Sequence, residues 1–151
     1  MRKILFVVLS VMIGQFTGSA QSVSGKEAKE ILMSKVWSYY GVMNLKYSED
    51  KIYYYDSRKS MEESRVVCHR YYLSDIFVKE FDDKLLGVSI GSKYLYLAGS
   101  KVNSSFSIYE ITEISNEGYS LQLIYDSKDP DGTKIYIGRT KEPVVYVPYR
   151  E

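Results

Sequence analysis

Cys68 and His69 stand side by side, a thiol and an imidazole of the kind that nucleophilic catalysis pairs. They fall within Ser64 to Leu73, which reads as a strand, and adjacent strand side chains point to opposite faces. A thiol on one face cannot pass its proton to an imidazole on the other, and His69 is the only histidine. Both are expected to be ordinary strand residues, with Cys68 an inert thiol in Arg65-Val66-Val67-Cys68. As the single cysteine it closes no intrachain disulfide. An intermolecular bridge is the alternative that an oxidising compartment would permit.

Metal chemistry finds little better material. Asp126, Asp129 and Asp131 ahead of Gly132 suggest a calcium loop. Aligned with the EF-hand pattern, however, Ser127 takes its first position and Gly138 its twelfth, where a bidentate glutamate belongs. Asp129-Pro130-Asp131-Gly132 is a turn sequence in its own right. One cysteine and one histidine cannot build a four-ligand zinc site without carboxylates. The acidic pairs Glu49-Asp50, Glu62-Glu63 and Asp82-Asp83 lie in polar stretches, and adjacent carboxylates do not face each other across a cleft. Gly87 to Lys93 misses phosphate-loop spacing, no nucleophile elbow occurs, and no cofactor is expected. Asn103-Ser104-Ser105 is a glycosylation sequon, of consequence only in a eukaryotic secretory pathway.

The elements that carry these residues follow from periodicity. Ser24-Gly25-Lys26-Glu27 has capping-box spacing, and Ala28, Ile31, Leu32 and Lys35 then share one face, which predicts a helix over Ser24 to Lys35. From Val36 the period changes to two. Trp37, Tyr39, Met43, Leu45 and Tyr47 alternate with polar neighbours and predict one half-buried strand interrupted at Gly41. Further strands are predicted at Ile52 to Tyr55, Ser64 to Leu73, Ile76 to Phe81, Leu85 to Ile90 and Lys93 to Ala98. Phe106 to Ile114, Leu121 to Asp126, Lys134 to Thr140 and Val144 to Tyr149 complete the set. About ten strands joined by short turns argue for an all-β, antiparallel up-and-down meander. Such a meander closes into a barrel or folds into two packed sheets; closure removes exposed edges, so a β-barrel is expected.

The first twenty residues have the form of a secretory signal peptide. Arg2 and Lys3 precede the apolar stretch Ile4 to Ile13, and Gly18-Ser19-Ala20 offers small side chains for cleavage near Ala20. The stretch is too short for a permanent span, so no transmembrane segment is expected in the mature chain. The chain therefore divides into a signal peptide over 1–20 and one domain over 21–151, exported to the periplasm or secreted. Without Arg2 and Lys3, 18 basic side chains face 19 acidic ones, a net charge of −1 that makes no case for nucleic acid. The 16 tyrosines are the strongest bias in the composition. Tyrosine suits strands, where its ring meets the core and its hydroxyl meets water.

A short helix running into a first-strand tryptophan, in Ile31-Leu32-Met33-Ser34-Lys35-Val36-Trp37, is followed by the meander and by Ile135-Tyr136-Ile137-Gly138-Arg139. This layout resembles the lipocalin-like (calycin) domains of small secreted bacterial proteins. Tyr71-Tyr72-Leu73-Ser74-Asp75 and Ser107-Ile108-Tyr109-Glu110-Ile111 add to the likeness. The resemblance implies that Trp37 closes one end of the barrel with Arg139 over its ring, a cation–π contact of about 1 kcal/mol. It implies a scaffold and names no ligand.

Two functions are compatible with these residues. In the first, a non-enzymatic lipocalin-like protein binds a small apolar or amphipathic ligand, with Trp37, Tyr39 and Met43 facing Tyr94, Tyr96 and Tyr125 across the lumen. The same side chains would otherwise simply fill a core. In the second, a tyrosine-rich surface binds a protein partner, as a periplasmic inhibitor or immunity protein would. Ile52-Tyr53-Tyr54-Tyr55 would then be the edge strand that pairs with the partner. An enzyme is not expected, because no nucleophile–base set, cofactor loop or metal cluster can be assembled.

Overall fold

The cap at Ser24 forms as its spacing predicts. The Ser24 hydroxyl accepts a hydrogen bond from the Glu27 amide at 3.2 Å, and helix α1 runs over Gly25–Met33. Ala28, Ile31 and Leu32 are its buried face. Nine residues are too few for a stable isolated helix, so α1 depends on what it docks against. A computed structural model of the chain describes residues 23–132 and 143–150.

Among the described residues eight strands follow the helix: β1 (Val36–Tyr39), β2 (Met43–Tyr47), β3 (Lys51–Asp56), β4 (Val67–Ser74), β5 (Tyr94–Gly99), β6 (Phe106–Ser115), β7 (Gly118–Asp126) and β8 (Val144–Pro148). Each pairs antiparallel with the next, and β8 returns to β1 through Trp37↔Pro148 and Ser38↔Val147, so the sheet is a closed barrel. An all-β, up-and-down barrel behind one short helix is thus the fold, as expected.

Three strand expectations need correction. The single strand expected from Trp37 to Tyr47 is a hairpin, in which Trp37 pairs with Leu45 and Tyr39 with Met43. Tyr40 (φ 47°) and Gly41 (φ +67°) turn the chain in left-handed backbone, which glycine adopts without strain. The turn separates Tyr39 from Met43 by an even number of positions, so the alternation runs through it unbroken and the pattern alone does not record it.

The strands expected at Ile76 to Phe81 and Leu85 to Ile90 do not form. Residues 75–90 make an irregular strap containing one 3-10 turn (Asp83–Leu85) and a single parallel bridge, Leu73↔Ser89. Tyrosine hydroxyls satisfy its backbone in place of a ladder. Tyr96 Oη accepts from the Val78 amide at 2.8 Å and donates to the Ile76 carbonyl at 2.9 Å, while Tyr72 Oη accepts from the Asp82 amide at 3.4 Å. Buried Arg70 ties the strap down from β4. It pairs with Asp83, lies 5.4 Å from the Phe81 ring centroid, and donates from Nε to the Gly99 carbonyl at 2.9 Å. The strand expected over Lys134 to Thr140 lies outside the described residues.

The barrel has two apolar layers. All eight strands and α1 contribute to the interior, where Trp37, Leu45, Ile52, Tyr71, Leu73, Leu95, Tyr119 and Leu121 are buried. A second cluster, Tyr72, Tyr96 and Ile108 with Phe81, Leu85, Phe106 and Tyr125, lies on the outer wall of β4 to β7 beneath the strap. Helix α1 plugs the end where β2, β4 and β6 finish. Its first residue sits hard on the end of the strap: a Cβ on Gly25 would stand 2.8 Å from the Ser89 carbonyl oxygen and 2.7 Å from the amide nitrogen of Gly91, which follows the strap. A Cβ on Gly91 would stand 2.1 Å from the Asp75 amide nitrogen. Backbone cannot give way as a side chain can. Gly91→Ala is therefore expected to destabilise the fold by about 3 kcal/mol, the upper end of overpacking costs, measured by urea unfolding.

Candidate functional site

The barrel interior divides into a filled half under α1 and a half that keeps accessible surface. In the filled half, the Trp37 indole donates to the Leu32 carbonyl at 2.8 Å and meets Tyr119 edge-on, with ring centroids 4.9 Å apart. The Tyr47 and Tyr119 hydroxyls lie 2.8 Å apart, and Tyr71 donates to the Ser48 carbonyl at 2.7 Å. The cation over the Trp37 ring among the described residues is Lys35, whose Nζ stands 5.5 Å from the centroid. Arg139, the partner implied by the resemblance, lies outside the described residues.

Away from the helix the interior is lined by Tyr39, Tyr54, His69, Leu97, Tyr109 and Tyr146, all half-buried. Their strands alternate, so the faces they present are set by their fully buried neighbours: Ile52 fixes Tyr54, Tyr71 fixes His69, and Leu95 fixes Leu97. These are therefore inward positions that are only partly buried. Tyr146 stacks on Tyr119 at 4.6 Å with planes 4° apart, Tyr39 leans on Tyr146 at 5.7 Å, and Tyr54 meets the His69 ring edge-on at 5.1 Å. Nδ1 of His69 is buried without a hydrogen-bond partner among the described residues.

Burial sets the protonation states. It holds the Tyr54 phenol well above its usual range, with Tyr47 and Tyr146 nearby adding to the effect. Burial likewise raises Tyr109 and Tyr146. It lowers His69 below 6.5, so the imidazole is neutral at pH 7. The lumen thus offers aromatic faces, neutral phenol hydroxyls and a neutral imidazole. Those groups suit an uncharged apolar or amphipathic guest better than an ion.

The structure separates the six residues expected to line one cavity. Trp37 and Tyr39 are interior, whereas Met43 sits at the barrel's rim and is 40% exposed. Tyr94, Tyr96 and Tyr125 lie on the outer wall, the correction that matters most. Leu95 and Leu97 take the inward positions of β5, which sends Tyr94 and Tyr96 outward. On β7 a register shift at Ile108/Tyr109 pairs Tyr125 with outward-facing Ile108. Tyr72 and Tyr96 stack there at 4.6 Å with planes 10° apart.

Tyr54, His69, Tyr109 and Tyr146 replace them, and the sequence reading missed all four as a set. The signal was present for His69, which shares parity with Tyr71 and Leu73. Cys68 pairs with Tyr53 on the outer wall, so thiol and imidazole do face opposite ways, and burial raises the Cys68 thiol above its ordinary range. Asp126 to Gly132 close as turns, with Asp126 Oδ1 accepting from the Lys128 amide at 2.9 Å and the Gly132 amide donating to the Asp129 carbonyl at 3.0 Å. Among the described residues no three His, Cys, Asp or Glu side chains gather closely enough to hold a metal, and no helix is long and apolar enough to cross a membrane. No protein-family profile, no curated protein and no solved structure matches this chain.

Proposed function

We propose that this protein is an exported, lipocalin-like binding protein that holds a small apolar or amphipathic ligand inside its barrel and performs no catalysis. One observation carries the reading. Tyr54, Tyr109, Tyr146 and His69 turn inward at the end away from α1 yet keep accessible surface, where a filled core would bury them. A barrel of about eight strands has an interior wide enough for side chains or for one small guest. Here the side chains are fully buried under α1 and only partly buried beyond it. Export rests on the form of residues 1–20.

Native mass spectrometry of the protein, isolated gently from the compartment it reaches, tests the proposal. The expected result is a discrete added mass that is lost on unfolding; a clean apo mass overturns it. The second reading, a protein-binding module, loses its expected edge strand, since β3 pairs with β2 on one side and β4 on the other. A different edge supports it instead.

A further inference from the structure

The pairing of β6 is lopsided. On one side it follows β7 as far as Ser115↔Gly118. On the other its register with β5 stops at Tyr94↔Glu110, and the last bond runs from the Ile111 amide to the Lys93 carbonyl at 2.8 Å. Before Lys93 the chain is drawn away by Asp75, whose Oδ1 accepts from the Ser92 and Lys93 amides at 2.8 and 3.1 Å. Among the described residues, then, no strand lies along the β5 side of Thr112 to Ser115. In a closed barrel this is a local open edge about 13 Å long, at about 3.3 Å per residue.

A groove of about 990 Å³ runs beside that edge, with the first turns of α1 as its far wall. The wall is fixed in place, because Gly25 sits against Gly91 too closely for a Cβ. Ile31, Ile111 and Ile114 supply apolar surface to the groove, so it can take side chains as well as backbone. Glu27, Asp75 and Glu113 stand around it with Lys93, and all four are exposed. Lys35 reaches the rim, where its ammonium donates to the Asn116 carbonyl at 2.6 Å, so among the described residues the groove carries three carboxylates to two cations, one of them already engaged.

We propose that this groove docks an extended segment of a partner protein, added as a strand to β6, in which apolar residues alternate with lysine or arginine. Strand addition supplies the backbone bonds that β6 lacks, alternate side chains reach the isoleucines, and the basic residues meet the carboxylates. A second copy of this chain fits less well, since edge-to-edge pairing of two β6 strands would bring two copies of Glu113 together. The inference is independent of whether the lumen holds a ligand.

The test is selection of a displayed library of short random peptides on the purified protein. Winners are then compared on Glu113→Lys, an exposed change whose fold is checked by circular dichroism, and after N-methylation of alternate peptide amides. The expected winners alternate apolar and basic residues, bind about fivefold or more weakly to E113K, and lose binding on N-methylation, which removes the strand bonds but not the charges. Enrichment of nothing, of acidic peptides, or of peptides indifferent to either change overturns the proposal.

Discussion

Trp37→Ala is expected to lower the unfolding free energy by about 3–5 kcal/mol, the range for removing a large buried aromatic ring. The ring is fully buried where α1 meets the barrel, so the void cannot be filled from solvent. Two further losses add to the cavity. The edge-on contact with Tyr119 disappears, and such aromatic pairs contribute about 0.5–1.5 kcal/mol beyond their buried area. The Leu32 carbonyl, one of the last in α1 and without a following turn to accept from, loses the indole N–H that satisfies it. Against a whole-domain stability of about 5–15 kcal/mol, the variant is left marginal. Trp37→Phe separates the contributions: it keeps most of the volume but strands the carbonyl, at a cost of about 1–3 kcal/mol. Lys35→Ala, which removes only the cation over the ring, is expected to cost no more than about 1 kcal/mol. Urea unfolding followed by far-ultraviolet circular dichroism measures all three. An alanine variant within about 1 kcal/mol of the parent would mean that Trp37 does not seal this end.

How far the sequence could be read depended on whether a residue's neighbours constrained it. Ser24 and Glu27 announced α1 because a cap is a local device, complete within four residues. The Tyr40–Val42 turn was hidden because it preserves strand parity, so only the glycine at 41 marks it in the sequence. The strap was misread for a different reason. Ile76, Phe77, Val78 and Phe81 have strand-like composition, yet the Ile76 carbonyl and the Val78 and Asp82 amides bond to the hydroxyls of Tyr96 and Tyr72 and not to a neighbouring strand. Tyrosine also blurred the candidate site. Its ring tolerates either wall of the barrel, so the positions of Tyr94, Tyr96 and Tyr125 were settled by flanking Leu95 and Leu97 and by the β6–β7 register shift, not by their own chemistry. The open stretch of β6 was beyond periodicity altogether, because it depends on where β5 begins.

The interior tyrosines predict steep alkaline unfolding. Tyr47, Tyr54, Tyr71, Tyr109, Tyr119 and Tyr146 all have phenols raised above 10 by burial, and Tyr47 and Tyr119 are raised further by their neighbours. In the unfolded chain each would lose its proton near pH 10. Above that pH the unfolded state binds fewer protons than the folded one, so stability is complete below pH 10 and falls as pH rises. Each withheld proton changes the balance by about 1.4 kcal/mol per pH unit, and six acting together by up to about 8 kcal/mol per pH unit. That slope exhausts a typical domain's stability of about 5–15 kcal/mol within about two pH units. The part of the phenolate absorbance near 295 nm that comes from these interior tyrosines is therefore expected to appear together with the loss of the β-sheet dichroism signal, in one cooperative step, while exposed tyrosines such as Tyr40 ionise without it. Tyr72, on the outer wall and pushed only to about 12, follows the same transition because the fold that shields it is lost. Stepwise ionisation of the interior tyrosines with the dichroism signal intact would mean that water already reaches the whole lumen. The filled half beneath α1 would then be no barrier. An apolar guest would also lose its advantage over water, so this titration bears on the ligand-binding proposal as directly as it does on stability.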